Sequence, residues 1–320
     1  MQSIQNEIDM FEQQLCGLLR DEEASVQILL DYLVRQQGGR LRPKLLLLTA
    51  GMSGGITAES RSLACLVELL HTASLIHDDV VDEAGTRRRM ESVNAVFDNK
   101  LAVLLGDYLL AKVLDIASRT ALPGVWPLLV ETVGCLTRGE MLQLSRRGCL
   151  DLTEADYFRF LEWKTASLME LSCRLGALSA GAPAEMQEDC GRFGRSFGTF
   201  FQLKDDLKDF SAVADGKDPY NDLREGEVTL PVMYAMQRLC LSDRADFRSR
   251  YLKLQKSAEE LEALAATVRD CGALQQAGEK LSRMQQELLA QLELFPESIY
   301  RQDIRQLIVE TGNLGFLTKA

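Results

Sequence analysis

The feature of the sequence that most restricts its fold is a long apolar segment that runs from Ala58 to about Val81. Leucines recur near helical spacing at positions 63, 66, 70 and 75, and apolar residues cover nearly every face of the corresponding helix. No proline interrupts residues 44 to 122, which also favours long helices. We therefore predict a central helix that is buried on all sides by other helices.

The remainder of the chain is also predicted to form helices, which are separated by prolines, glycines and capping residues. The expected helices cover about residues 24 to 36, 92 to 118, 124 to 146, 155 to 180, 186 to 213, 228 to 240 and 256 to 292. Alternating strand-like runs are missing, and no low-complexity segment resembles a linker. These patterns predict an all-α fold, with residues 1–320 forming a single large helical bundle domain.

The charge balance restricts the partners of the chain. There are 36 Lys and Arg residues against 47 Asp and Glu residues, and the resulting net charge of -11 argues against nucleic acid as a partner. No apolar run approaches the roughly 18 residues that a membrane-spanning helix needs, and the first residues lack the order of a signal peptide. We therefore expect a cytoplasmic protein without a transmembrane segment.

An acidic cluster closes the central apolar helix. The sequence HDDVVDE contains Asp78, Asp79 and Asp82, and Asp78 and Asp82 share a face because they are four residues apart. Like charges at the end of an apolar helix are costly unless cations neutralise them, and divalent ions with oxygen ligands suit this task. His71 lies two turns before Asp78 on the same face, so a ligand role and a structural role are both open for it.

A second acidic cluster occurs in FQLKDDLKDF, after an aromatic and apolar stretch. It contains Asp205, Asp206 and Asp209, and Gln202 lies three and seven residues before the first and last of them, on the same face. Because Mg²⁺ binds through a few carboxylates together with substrate phosphates, two such clusters suggest metal ions that hold a diphosphate. Basic residues should accompany such an anion, and they occur as the run Arg87-Arg88-Arg89 and at Arg40 and Arg42.

Six blocks of the sequence together resemble the trans-prenyltransferases, also called polyprenyl diphosphate synthases. In chain order they are GGRLRPKL, ELLHTASLIHDDVVDEAGTRRR, SVNAVFDNKLAVLLGDYLLAK, EWKTASL, FQLKDDLKDF and GKDPYNDLREGEVTLP. The resemblance implies the isoprenoid synthase fold, an all-α bundle with a central cavity, which usually forms homodimers. It also implies Mg²⁺-dependent, head-to-tail condensation of isopentenyl diphosphate with an allylic diphosphate of the geranyl or farnesyl type.

The resemblance implies roles for particular residues. Asp78, Asp82 and Asp205 would bind Mg²⁺ directly, and Asp79 and Asp209 would support them. Metal ions would assist departure of the diphosphate, the alkene would attack the resulting cation, and the released diphosphate would remove a proton. This is electrostatic catalysis without a nucleophilic side chain.

The substrate-binding residues also follow from the resemblance. Arg87 would hold the allylic diphosphate, and isopentenyl diphosphate would be held by Arg42, His71 and Arg88. Lys217 matches a diphosphate-binding lysine. Three further residues match those that contact the allylic substrate and face the developing carbocation, namely Lys164, Thr165 and Gln202.

The chain departs from the family pattern at three positions. Gly39 and Glu227 stand where lysines are expected, and Tyr220 stands where glycine is usual. Loss of one charge-assisted contact would weaken diphosphate binding roughly 10- to 100-fold. Nearby cations that would compensate, and so bind substrate, are Arg40, Lys44 and Arg224.

Product length and two alternative functions complete the expectations. Ala73 and Ser74 occupy positions that carry bulky aromatic residues in short-chain family members, which predicts a hexaprenyl to decaprenyl product. One alternative is a regulatory or structural subunit that pairs with an active synthase, which the two missing lysines would allow. The other is a class I terpene cyclase, which ionises a diphosphate without needing an isopentenyl diphosphate site.

Overall fold

The structure is a computed structural model that describes residues 3–36, 38–87, 90–211, 219–313 and 315. Helices predominate in these ranges, and a two-residue antiparallel hairpin pairs Thr86–Arg87 (β1) with Met90–Glu91 (β2). Within the described residues no helix has the length and apolar character needed to cross a membrane. The prediction of an all-α fold is confirmed.

The helices follow one another along the chain with short connections. They are α1 (Gln5–Leu18), α2 (Ala24–Arg35), α3 (Leu41–Met52), α4 (Ala58–Val81), α5 (Val93–Phe97), α6 (Asn99–Arg119), α7 (Val125–Arg146), α8 (Glu154–Leu161), a π-helical turn (Glu162–Ala166), α9 (Ser167–Ser179), α10 (Ala184–Asp209), α11 (Asn221–Glu225), α12 (Leu230–Arg238), α13 (Leu241–Tyr251), α14 (Ala258–Asp270), α15 (Ala273–Leu292) and α16 (Ile299–Thr311).

Three of the predicted helices are interrupted in the structure. The helix expected over residues 92 to 118 breaks at Asp98, whose φ of 104° is incompatible with a helix. The one expected over residues 155 to 180 contains the π-helical turn, and the one over residues 256 to 292 breaks at Gly272, which has a φ of 76°. Helices α1, α3, α11, α13 and α16 were not among the predictions.

The fold divides into two compact units. Unit 1 comprises Met1–Val133, Leu168–Gly194 and Phe295–Ile304, and unit 2 comprises Gly134–Ser167, Arg195–Leu294 and Arg305–Ala320. The single domain expected over residues 1–320 stays a prediction.

Helix α4 forms the centre of unit 1, as the apolar pattern predicted. It begins with a capping box between Thr57 and Ser60, and it packs against α6, α3 and α1. Leu63 and Leu66 on this helix are completely buried. A cavity with about 680 Å³ of empty space, part of it open to solvent, is lined by residues of α1, α2 and α4.

In unit 2, helix α12 is a largely buried helix. It packs against α15, α14 and α8, and nearly all of its side chains are buried because its sequence, LPVMYAMQR, is largely apolar. Phe247 and Tyr251 of α13 stack in the core with their ring centroids 5.8 Å apart. The tyrosine hydroxyl donates a hydrogen bond to the main-chain oxygen of Glu227 at 2.5 Å.

Candidate active site

The first acidic cluster lies at the carboxyl end of α4 in unit 1. Asp78 and Asp79 belong to the last turn, and the N–H of Asp82 donates to the Asp78 carbonyl at 2.8 Å, so the helical path continues to the third aspartate. Asp79 is only 3% exposed, and it accepts a hydrogen bond from Nε of Arg87 at 2.8 Å. The structure therefore joins the cluster to one of the predicted diphosphate-binding arginines.

Arg87 remains charged despite its burial. Burial acts to lower the pKa of its guanidinium, but the hydrogen bond with Asp79 and the charges of Asp79, Asp78 and Asp82 hold that pKa above its ordinary value. The arginine is thus a fixed cation beside the acidic end of α4. An arginine can contact a phosphate group through two parallel N–H···O hydrogen bonds.

Two further predicted substrate-binding residues lie next to each other in unit 1. Nη1 of Arg42 in α3 is 2.8 Å from Nε2 of His71 in α4. Because arginine can only donate, Nε2 of His71 accepts and its imidazole is neutral with the proton on Nδ1. The contact gives the arginine a fixed orientation, which suits recognition of an anion.

Arg40, another predicted substrate-binding residue, contacts two carboxylates of unit 1. Its guanidinium donates to Glu12 at 2.7 and 3.2 Å and to Glu68 at 2.7 Å, and Glu68 is a buried residue of α4. All three of its nitrogens are therefore engaged by carboxylates. These contacts give Arg40 a structural role, and its predicted role in binding substrate stays a prediction. Lys44, another expected compensating cation, donates to the Gly39 carbonyl at 2.8 Å.

The second acidic cluster occupies the last turns of α10 in unit 2. Asp205 is exposed, whereas Asp206 is buried and accepts hydrogen bonds from the Tyr157 hydroxyl at 2.6 Å and from Nε2 of Gln202 at 2.9 Å. Burial raises the pKa of the Asp206 carboxyl to about 7, against the effect of these two hydrogen bonds. Tyr157 was missed in the sequence because no local spacing relates it to α10.

Asp209 organises the segment that follows this cluster. Its two carboxylate oxygens accept from the main-chain N–H groups of Asn221 and Asp222, each at 3.0 Å, at the start of α11. Burial and the charges of Asp209, Asp206, Asp205 and Glu227 raise the pKa of the Asp222 carboxyl well above its ordinary value. Asp222 is thus a further acidic group of the site that the sequence analysis did not identify. The role of Asp209 in supporting metal binding stays a prediction.

Lys164 and Thr165 lie in the π-helical turn, a feature that is frequent at functional sites. The Thr165 hydroxyl donates to Oε1 of Gln202 at 2.9 Å, and Nζ of Lys164 lies 2.7 Å from Oε2 of Glu140 in α7. A Cβ atom at Gly139 would lie 2.7 Å from the main-chain nitrogen of Lys164, so glycine is needed for this close approach. Thr165 and Gln202 are therefore in contact, and the roles of Lys164, Thr165 and Gln202 toward the allylic substrate stay predictions.

Glu227, which replaces an expected lysine, forms an ion pair in which the carboxylate is buried and the arginine is partly exposed. Its Oε1 accepts from Nε and Nη2 of Arg147, both at 2.9 Å. Burial raises the pKa of the Glu227 carboxyl, and the charge of Arg147, a hydrogen bond from Gln143 and the charge of Lys164 oppose that rise. Arg147 was not among the compensating cations expected from the sequence, because 80 positions separate it from Glu227.

Tyr220, which replaces an expected glycine, has a φ of 62°. This left-handed conformation costs a non-glycine residue about 1 to 2 kcal/mol. The tyrosine hydroxyl donates to Oε2 of Glu262 at 2.8 Å and accepts from Nη1 of Arg269 at 3.2 Å. These contacts with α14 hold the residue in place and explain how tyrosine is accommodated here.

The donor atoms of both clusters fit a hard divalent cation such as Mg²⁺, because they are carboxylate oxygens. In the described part of the chain, no three His, Cys, Asp or Glu side chains come close enough to surround a metal ion by themselves. An ion that keeps water and phosphate oxygens as ligands needs only one or two carboxylates. Two predicted diphosphate ligands, Arg88 and Lys217, lie outside the described residues.

The buried Asp206 carboxyl gives a prediction for the metal-free protein. Its pKa is about 7 in the folded chain, against an ordinary value of 3.8, so only the folded state keeps the proton between these values. The stabilisation is complete below pH 3.8 and is lost as the pH rises through about 7. We expect Asp206→Asn to become more stable relative to the parent over this range. Urea unfolding in the presence of a chelator, from about pH 5 to about pH 8, measures the difference. A constant difference would contradict the prediction.

Comparisons with known proteins identify the family of this chain. The family model described as polyprenyl synthetase matches residues 23–268. An all-trans-nonaprenyl-diphosphate synthase (geranyl-diphosphate specific) of Rhodobacter capsulatus is 37% identical over 281 residues, which are 86% of this chain and 85% of that protein. Heptaprenyl diphosphate synthase component 2 of Geobacillus stearothermophilus is 31% identical over 287 residues, which are 89% of this chain and 88% of that protein.

Solved structures extend the likeness to the whole fold. The polyprenyl synthase of Caulobacter crescentus, solved in complex with calcium and isoprenyl diphosphate, superposes with a TM-score of 0.91 at 27% identity. The match covers 97% of this chain and 95% of the other. Since the family model spans well over half of the chain and relatives above 30% identity cover most of it, this chain belongs to the polyprenyl synthetase family and is a prenyltransferase.

Proposed function

We propose that the chain is a medium- to long-chain polyprenyl diphosphate synthase that uses Mg²⁺ to condense isopentenyl diphosphate with an allylic diphosphate. The observation that carries this proposal is the pair of aspartate clusters, each at the carboxyl end of a long helix, with the cation Arg87 held by the first of them. Arg87 accompanies the first cluster, and Lys164 shares unit 2 with the second. The Caulobacter protein, solved with calcium and isoprenyl diphosphate, supports the proposal that this chain binds a divalent metal and an isoprenyl diphosphate.

The carboxylates divide into metal ligands and positioning groups. Asp78, Asp82 and Asp205 are the proposed Mg²⁺ ligands. Asp79 holds Arg87, and Asp209 holds the start of α11 through two main-chain hydrogen bonds. When bound, Mg²⁺ would neutralise the charge that develops on the departing diphosphate. The chain itself supplies the orientation of the groups around that charge.

Substrate contacts are proposed in both units. In unit 1, Arg87 contacts the allylic diphosphate, and Arg42 with His71 contacts isopentenyl diphosphate. By the resemblance described above, Arg88 contributes to the latter site and Lys217 binds diphosphate.

In unit 2, Lys164, Thr165 and Gln202 face the allylic substrate. The hydrogen bond from Thr165 orients the amide oxygen of Gln202. This oxygen keeps a second lone pair that can face a carbocation.

The proposed function is tested by incubating the purified protein with Mg²⁺, labelled isopentenyl diphosphate and farnesyl diphosphate, and by resolving the products by chain length. Elongated diphosphates are expected, and they should not form in the presence of a chelator. A hydrocarbon made from farnesyl diphosphate alone would instead indicate a terpene cyclase. No product over a range of allylic substrates, from protein that unfolds cooperatively, would contradict the proposal.

The first alternative keeps one specific observation in its favour, which is the relative named component 2 of heptaprenyl diphosphate synthase. A chain of this kind would need a second component for activity. Elongation that appears only when a second protein from the same cell is added would support that function. Elongation by the purified chain alone would exclude the need for it.

Product length gives a second prediction. Ala73 is completely buried and Ser74 is half-buried, in the turn of α4 before Asp78. Small side chains here leave room for a growing hydrocarbon, so we propose a product in the hexaprenyl to decaprenyl range. Ala73→Phe and Ser74→Phe are each expected to shorten the product by at least one isoprene unit. Product chromatography measures the change, with Ala73→Ser as the small-residue control. An unchanged product from both phenylalanine variants would contradict the prediction.

We also propose a homodimer and a cytoplasmic location. The dimer is supported by large apolar side chains that stay exposed on α6, among which Leu104 is 62% exposed and Leu114 is 51% exposed. Exposed apolar patches of this kind commonly mark protein interfaces. The location is supported by the acidic composition.

A further inference from the structure

Unit 2 contains many acidic groups, yet it must bind a diphosphate if the proposed function is correct. The main chain connects these groups directly. Asp209 accepts from the N–H of Asp222, and the carbonyl of Asp222 accepts from the N–H of Glu227 at 2.8 Å. Glu227 therefore adds a carboxylate at the edge of the second aspartate cluster, where the family pattern has a lysine. An anion at this edge needs a cation from elsewhere in the fold.

The structure supplies that cation as Arg147, directly after α7. Its guanidinium is held by Glu227 through two nitrogens at 2.9 Å, yet 34% of its side chain remains exposed. The arrangement parallels that of Lys164, which is held by Glu140 at 2.7 Å and is 27% exposed. In both cases a less exposed carboxylate anchors a cation that still reaches solvent.

Several main-chain contacts fix the geometry of this pair. The N–H of Gly148 donates to the carbonyl of Gly226 at 3.0 Å, which joins the two segments next to Arg147 and Glu227. Both glycines have left-handed φ values, of 73° and 76°, so other residues would strain these turns. The Tyr251 hydroxyl donates to the main-chain oxygen of Glu227 at 2.5 Å. The guanidinium is thus held in one place before any ligand arrives.

We propose that Arg147 is a diphosphate-binding residue in unit 2 and that Glu227 positions it, so that the pair replaces the lysine missing from the chain. This inference rests on the proposed function and deepens it by naming a cation that recognises the anion. Arginine suits the role because its planar fork can contact a carboxylate on one side and phosphate oxygens on the other. Glu227 then stabilises the arginine instead of repelling the anion.

The test compares double variants, because Arg147→Met alone would leave Glu227 buried and unpaired. Arg147→Met/Glu227→Gln removes both charges with little change of shape, and it is expected to weaken binding of inorganic diphosphate roughly 10- to 100-fold. Arg147→Met/Glu227→Lys returns a cation at the family position, and it should recover most of that loss. Arg146→Met, which changes the preceding exposed arginine, is the matched control and should change binding less than about two-fold.

Calorimetry with inorganic diphosphate and Mg²⁺ measures binding, and KM and kcat for elongation are measured in parallel. Diphosphate affinity of Arg147→Met/Glu227→Gln equal to that of the parent would overturn the inference, because a purely structural ion pair can be neutralised without that loss. If the parent elongates but this double variant is unimpaired, the inference fails and the proposed function stands. If the parent binds diphosphate but forms no product, the proposed function fails while binding still decides the role of Arg147. Absence of diphosphate binding by the parent would overturn both.

Discussion

Replacing Asp78 or Asp205 by alanine is expected to lower kcat/KM for elongation by about 1,000-fold or more. Each is a proposed ligand of a metal ion that stabilises transition-state charge, and such stabilisation amounts to several kcal/mol, of which about 4 kcal/mol correspond to 1,000-fold. Both clusters are proposed to bind Mg²⁺, so one cluster does not compensate for the loss of a ligand in the other. The largest change should appear in kcat, with a parallel rise in the Mg²⁺ concentration needed for activity.

The matched control for Asp205 lies on the same helix. Asp189 in α10 is half-buried and pairs with the exposed Arg192 three residues later, away from the acidic cluster. Asp189→Ala should leave elongation within about two-fold of the parent, as expected for a surface ion pair. Asp205→Ala should also unfold at no lower urea concentration than the parent, because it removes one of several neighbouring like charges. Activity within ten-fold of the parent would exclude Asp205 as a metal ligand.

Arg40→Met is expected to lower the free energy of unfolding by about 3 kcal/mol, the lower end of the range for breaking a buried ion pair. The reason is that Glu68 is only 2% exposed and would lose its hydrogen-bonded partner in the variant. The lower end applies because the side chain of Arg40 is 15% exposed and that of Glu12 is 33% exposed. Urea unfolding measures the change.

Two further variants separate a structural role of Arg40 from a role in binding substrate. Arg40→Met/Glu68→Gln should recover most of the lost stability, since no unpaired buried carboxylate remains. Arg61→Met breaks another ion pair of unit 1, with Glu7, whose side chain is 27% exposed, and should cost less than about 1 kcal/mol. A folded Arg40→Met enzyme with parental stability and a ten-fold higher KM for isopentenyl diphosphate would restore the substrate-binding role.

Much of the helical architecture could be predicted from local patterns. The apolar segment gave the bounds of α4, and proline and glycine positions placed α2 and α7 within a few residues. The breaks at Asp98 and Gly272 could not be predicted, because each depends on a single backbone conformation inside a helix-prone stretch. Helix α3 was missed because its basic first turn and its proline resemble a loop, although proline is accepted in a first helical turn.

The candidate site shows where local sequence patterns stop being informative. Spacing of three or four residues within a helix sufficed to group Asp78 with Asp82 and Gln202 with Asp205, because the helix itself sets those distances. The hydrogen bond of Gln202 is made with the neighbouring Asp206, which only the structure shows. Partners on different elements are chosen by packing, which no spacing encodes.

The pairing of Arg40 with Glu12 and Glu68, and of Arg147 with Glu227, is therefore visible only in the folded chain. The sequence established the fold class, the two acidic clusters and the family resemblance. The tertiary structure decided which cations belong to the framework and which one replaces a missing lysine, since a charge is satisfied by whichever opposite charge the fold brings within hydrogen-bond distance.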